Sequence, residues 1–183
     1  MNKILETQRM ILRTFSYDDA DALYQLNGDA EVMRYLNGGN PMTFESVRDE
    51  ILPRFIDYGR RHPGLGLFAA ISRETDVFVG WFQLQIYEDD PEELELGYRI
   101  VRKHWGEGLA TEGGRSMLAL AFQDRGARSV VAGAMTANVG SVRVMEKIGM
   151  TLDKEFVAED FPSDDKTAVL YSMTREEYEA LSS

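Results

Sequence analysis

Between Leu94 and Thr111 the chain passes from a strand pattern, through the turn Trp105-Gly106-Glu107-Gly108, directly into an amphipathic helix. No other stretch restricts the fold so tightly. Turn glycines permit positive φ and close backbone approach, and the first N–H groups of the following helix have no acceptor within it. The pattern therefore suits an anion, a phosphate above all; it also suits a plain strand-to-helix turn that holds nothing. In the helix, Ala110, Gly113, Gly114, Met117, Leu118, Ala121 and Phe122 recur at three- and four-residue steps and make one apolar stripe. Gly113 and Gly114 each cost about 1 kcal/mol relative to alanine, which close packing of the helix onto a sheet would offset.

The remaining elements follow from periodicity and punctuation. Arg9 to Phe15 reads as a strand, Ser16 with Asp19 starts a helix through Leu26, and a short helical piece covers Val32 to Leu36. Thr43 caps a longer helix from Phe44 to about Arg61, which Pro53 should kink. Strand patterns follow at Leu67 to Ser72, Val77 to Tyr87, Glu93 to Val101 and, beyond the glycine turn and its helix, Ser129 to Met135. A helix from Val139 to Ile148, with Gly149 as its left-handed cap, precedes strands at Thr151 to Ala158 and Thr167 to Met173. The helix-linked strands, fourth and fifth in order, should lie parallel in an otherwise antiparallel sheet, and such a pair can splay to leave a slot.

Composition narrows the function. A net charge of −11 disfavours nucleic acid, and the chain has no cysteine, which removes disulfides, thiolate metal sites and a cysteinyl acyl-enzyme. With two distant histidines no metal site is indicated. No segment approaches the roughly 18 apolar residues of a membrane span, and the N-terminal decade carries no leader pattern, so a cytoplasmic protein is expected. Residues 1–183 read as one domain, a monomer or homodimer.

The chain resembles the GCN5-related N-acetyltransferase (GNAT) superfamily, in its branch of RimJ/RimL-type ribosomal-protein acetyltransferases. The resemblance rests on Thr7 to Arg13, Asp29 to Leu36, Glu95 to Tyr98, Trp105 to Glu112 and Asn138 to Met150, in the family's order. It implies a mixed α/β fold: a mostly antiparallel central sheet of about seven strands, the fourth and fifth parallel and splayed, flanked by helices. It also implies acetyl-CoA as acetyl donor. The superfamily's pyrophosphate motif, Gln/Arg-x-x-Gly-x-Gly/Ala, reads here Lys103-His104-Trp105-Gly106-Glu107-Gly108, with lysine departing from the pattern. Main-chain groups from Gly106 through Leu109, Ala110 and Thr111 would hold the diphosphate, with Lys103, Trp105 and Glu107 in the same loop. Ile100 and Val101 would pair with the pantetheine arm as with an added strand.

Direct attack in a ternary complex is the simplest route without cysteine. An alkylamine is only about 0.1% neutral at pH 7, so a carboxylate near the opening would help remove its proton. Glu95 shares a strand face with Gly97 and Arg99 near the sheet centre, and the resemblance gives the same position for a base; an ion pair with Arg99 is the alternative. Asn138 and Ser141, at i and i+3 of a helix start, form a cap pair or turn toward one point. The resemblance brings sulfur near that point, making Ser141 the acid, with Tyr98 as a substitute, and Asn138 a clamp on the cofactor amide. Met33, Tyr35 and the Asp160 to Asp165 loop are further acceptor-pocket candidates by family position, with Glu95 and Tyr98 also set against the substrate. The acidic run Glu88 to Glu93 would either draw in a cationic acceptor or form a solvated hairpin loop. Two other functions fit parts of the pattern: a catalytically silent CoA-binding module, and a dinucleotide-binding oxidoreductase, against which Thr111 stands where a third glycine belongs.

Overall fold

A computed structural model describes residues 2–181. Eight strands, β1 (Lys3–Glu6), β2 (Met10–Thr14), β3 (Gly66–Ser72), β4 (Phe78–Tyr87), β5 (Asp90–Ile100), β6 (Ser129–Met135), β7 (Thr151–Val157) and β8 (Thr167–Thr174), form one sheet. Its order is β1-β2-β3-β4-β5-β6-β8-β7. Only β5 and β6 pair in parallel among the described residues; the other neighbours are antiparallel. These are the fourth and fifth strands of the sequence pattern, renumbered because the four-residue β1 escaped it. So short a strand shows no period of its own and forms by pairing back onto β2 through the Thr7-to-Met10 turn, where Thr7 N–H meets the Met10 carbonyl at 2.8 Å. A sheet with one parallel pair is not the repeated βαβ array of a dinucleotide-binding domain.

The helices are α1 (Ala20–Gly28), α2 (Ala30–Asn37), the single turn α3 (Phe44–Ser46), α4 (Leu52–Arg61), α5 (Leu109–Ala119), α6 (Val139–Lys147) and α7 (Arg175–Leu181), the last absent from the sequence reading. Between α3 and α4 the expected Pro53 kink takes the form of a π-helical turn, Val47–Ile51, closed by the Leu52 N–H on the Val47 carbonyl. Proline has no N–H for an ordinary helical bond, and the wider bonding absorbs the irregularity just before it. Gly149, with φ of 92°, ends α6 as expected. Its N–H bonds the Glu146 carbonyl at 3.0 Å and that of Met150 bonds Met145 at 3.1 Å, while Met150 packs inward.

Two apolar layers sandwich the sheet. Phe68, Phe82, Leu94 and Leu96 pack beneath α5 and α6 with Met117, Phe122 and Met145, whereas Phe15, Leu23, Leu26, Val47, Leu52 and Trp81 form the core on the α1 to α4 side. The alternation of strand side chains thus divides β5: Leu94, Leu96, Tyr98 and Ile100 face α5, and Glu95, Gly97 and Arg99 face the other helices. Gly113 meets the expectation of close packing, since a Cβ there would fall inside the Phe82 ring. No helix among the described residues is long and apolar enough to cross a membrane.

Candidate active site

The parallel ladder between β5 and β6 is short. It joins Glu93 to Ser129, Leu94 to Val130 and Glu95 to Val131, and stops. Past that point β5 stays with β4 as far as Ile100 and β6 stays with β8 as far as Met135, so the two strands part and leave a fork whose apex is Glu95.

On the α5 side of the fork lies the glycine loop. Gly106 and Gly108 take φ of 80° and 82°, and Gly108 opens α5 with no side chain capping it. The first helical bond runs from Glu112 N–H to the Gly108 carbonyl, and the N–H groups from Gly106 to Thr111 meet no acceptor among the described residues. Lys103, Trp105 and Glu107 are exposed around this loop. A brace that the sequence reading missed holds it: Arg9 donates Nη1 to the Glu107 carbonyl at 2.8 Å and pairs through Nε with Glu112 at 2.6 Å. Glu112 also accepts from Thr7 Oγ1 at 2.5 Å and Arg9 N–H at 2.8 Å. Burial works against its ionisation, but these bonds prevail and hold the carboxyl below its usual range.

The main chain at Val101 is partly engaged. Its N–H is taken by the Val79 carbonyl at 3.0 Å and its carbonyl accepts from His104 N–H at 2.9 Å, so it offers a cofactor arm no free donor. Backbone groups alternate sides along a strand, and it is Ile100 that turns toward the fork. The Ile100 carbonyl already accepts from Trp105 Nε1 at 2.7 Å; Trp105 thus fastens the strand exit to the loop while remaining half exposed.

On the opposite face, Glu95 receives a hydrogen bond from Gln83 Nε2 at 3.1 Å. Gly97 makes this possible, because a Cβ there would stand 2.8 Å from the Gln83 side chain that crosses it. Burial raises the Glu95 carboxyl above its usual range. The alternative of an ion pair with Arg99 is not what the structure has: Arg99 donates to Asn27 Oδ1 and lies over the Trp81 ring at 4.9 Å. Burial pulls the Arg99 guanidinium down to about 10. A cavity of about 390 Å³ opens here, lined by Asn27, Arg54, Tyr58, Trp81, Gln83 and Arg99 among others.

Ser141 and Asn138 do form a cap: Asn138 Oδ1 accepts from Ser141 N–H at 3.2 Å. The serine hydroxyl is held separately, 2.9 Å from the Tyr98 hydroxyl, across the gap between β5 and α6. Met33 and Tyr35 are not brought to this cavity. Met33 is 1% exposed in the core and Tyr35 lies under the Arg34 guanidinium. The acidic run forms a tied hairpin, in which Asp90 and Glu92 pair with Arg128 at 2.7 and 2.9 Å and Glu93 accepts from Ser129 Oγ at 2.9 Å. Among the described residues no three His, Cys, Asp or Glu side chains gather as a metal set.

Residues 9–151 match the family model described as an acetyltransferase (GNAT) domain. The chain is 30% identical over 184 residues to the FsC-acetyl coenzyme A-N(2)-transacetylase of Aspergillus fumigatus, covering 95% of this chain and 77% of that one. Its fold superposes on a GNAT-family acetyltransferase from Bacillus anthracis with a TM-score of 0.82 at 22% identity, over 94% of this chain and 98% of the other. The RimL ribosomal L7/L12 α-N-protein acetyltransferase, solved in complex with coenzyme A, gives the same TM-score of 0.82 at 17% identity, over 94% and 98%.

Proposed function

This chain belongs to the GNAT family of acetyl-CoA-dependent acetyltransferases, and from that membership we propose that it transfers the acetyl group directly to a primary amine within a ternary complex. The observation that carries this reading is the end of the β5–β6 ladder at Glu95↔Val131, which leaves a carboxylate of raised proton affinity at the apex of a gap. The run of unpartnered N–H groups from Gly106 to Thr111 fits the diphosphate of acetyl-CoA, and the Ile100 N–H fits its pantetheine arm. When bound, acetyl-CoA supplies the thioester carbonyl and the thiolate leaving group.

The chain's own residues then divide the proton work. Glu95, directly or through one water, accepts the ammonium proton, freeing the nitrogen lone pair to form the C–N bond. Its raised value narrows the gap to an alkylammonium near 10. As the C–S bond breaks the nitrogen loses its second proton and the sulfur gains one, and Ser141 Oγ relays it, giving its proton to the sulfur and taking up the one from nitrogen; Asn138 Nδ2, free of the cap bond, steadies the arm. Lys103 and Trp105 flank the diphosphate loop. The N(2)-transacetylase name of the Aspergillus fumigatus relative supports an amine nitrogen as acceptor.

The test is a thiol-release assay with acetyl-CoA and a panel of amines, beside a melting curve with acetyl-CoA. Amine-dependent release and a higher melting temperature are expected. Neither effect at millimolar acetyl-CoA would overturn the proposal.

A further inference from the structure

The cavity on the α1 to α4 face is built unlike its surroundings. In a chain of net charge −11, its lining carries three arginines, Arg54, Arg61 and Arg99, against one acidic residue, Asp57. Asp57 is already committed to Arg61 Nε at 2.9 Å. Positive charge is therefore concentrated where the protein as a whole is negative.

Three buried N–H donors at this cavity have no acceptor among the described residues: Asn27 Nδ2, Trp81 Nε1 and Arg99 Nε. Asn27 is 1% exposed and Trp81 6%. Buried donors left unpaired cost about 1–3 kcal/mol each, and these three sit just beneath the surface of one cavity, where a small side-chain adjustment would bring them to a ligand oxygen. Arg99 has no carboxylate partner among the described residues: its guanidinium carbon lies 4.9 Å from the Trp81 ring centroid and it donates to the neutral Asn27 side chain. A value near 10 keeps it charged at neutral pH all the same. Such an arrangement presents a planar fork to an anion.

Glu95 stands at the other end of the same strand face, four residues or about 13 Å along β5, with the Gln83 amide and Gly97 between the two charges. The face is thus dipolar, negative at the fork and positive in the cavity. The volume of about 390 Å³ falls among small-ligand sites.

Resting on the acetyltransferase reading, we propose that the acceptor is a primary amine that also bears a carboxylate, which Arg99, Asn27 and Trp81 receive while the amine points to Glu95. Polycationic amines are the wrong class for this cavity, because their second charge would meet arginine.

Acceptor pairs that differ only in the anion test this: ω-amino acids of increasing length, α-amino acids and short acidic peptides, each beside its carboxamide, with spermidine as the polycation. At least one carboxylate is expected to exceed its carboxamide in kcat/KM by about tenfold or more, the value of one charged hydrogen bond. Arg99→Gln should bring the ratio close to one, and the near-isosteric Asn27→Asp should do so too by neutralising Arg99 from within. Equal rates for the pairs, a preference for spermidine, or an unchanged ratio in Asn27→Asp would overturn the proposal while leaving the acetyltransferase reading intact.

Binding gives a readout that needs no turnover. In a Trp105→Phe background Trp81 is the single tryptophan, and its fluorescence reports on the guanidinium above it. Titration with the same pairs should give tighter binding of the carboxylate by about tenfold, and indifference would sink the assignment even if no amine were acetylated.

Discussion

The Tyr98 hydroxyl stands 2.9 Å from Ser141 Oγ and 3.0 Å from the Ser141 carbonyl oxygen, so its one proton can go to either, and when it goes to Oγ the serine proton is left for another partner. Burial pushes the phenol up to about 12, against a lesser pull from Ser141, and Tyr98 therefore stays protonated through the whole working range. It acts on Ser141 by holding it. Tyr98→Phe should lower kcat about tenfold with little change in KM for acetyl-CoA, the value of one hydrogen bond at a positioned group. In steady-state kinetics the double variant with Ser141→Ala should be no slower than Ser141→Ala alone, because the two act as a unit.

Glu95→Gln should cut turnover at neutral pH by about 10² to 10⁴, the range for loss of a general base, while the melting shift with acetyl-CoA persists. The pH dependence has a definite sign. Burial raises the Glu95 carboxyl, so the base is ionised above that raised value and kcat/KM should fall as pH drops through it. The glutamine variant should lack that acid limb in a pH–rate profile.

The glycine pair of α5 separates packing from propensity. Gly113→Ala drives a methyl into the Phe82 ring and should destabilise by about 3 kcal/mol in chemical denaturation. Gly114→Ala meets Ile148 Cδ1 at 3.3 Å, a contact a side-chain adjustment relieves. The helix propensity gain of about 1 kcal/mol should leave that variant near neutral.

Glu112→Gln tests the brace under the glycine loop. Loss of the charged partner to Arg9 should cost about 1 kcal/mol, a figure kept small because Arg9 is half exposed, and should raise KM for acetyl-CoA. Since the folded carboxyl lies below its unfolded value, its contribution is present above the unfolded value and is lost as pH falls through the folded one. Urea midpoints of wild type and variant should therefore converge in acid.

What the sequence made legible was local. The strand, glycine turn and helix from Leu94 to Phe122 announced themselves by period, and the Gly149 cap by position. What it hid were contacts between distant segments. Gln83 reaches Glu95 only because antiparallel pairing sets Gln83 opposite Gly97, and Arg99 finds Asn27 rather than Glu95 because α1 packs over that face. Arg9 and Glu112, 103 residues apart, carry no shared local signal. Val101 read as a free strand end because the residue parity of β5 against β4 is fixed by register, which one strand does not reveal alone.

A sheet that parts in its middle is a perforated wall. On the proposed reading donor and acceptor would approach from its opposite faces, one by the glycine loop and the other by the arginine-lined cavity. Such an arrangement would impose no compulsory sequence of arrival: double-reciprocal velocity lines should cross, and a dead-end analogue of either reactant should be competitive with that reactant and noncompetitive with the other, where a fixed order of entry gives one uncompetitive pattern.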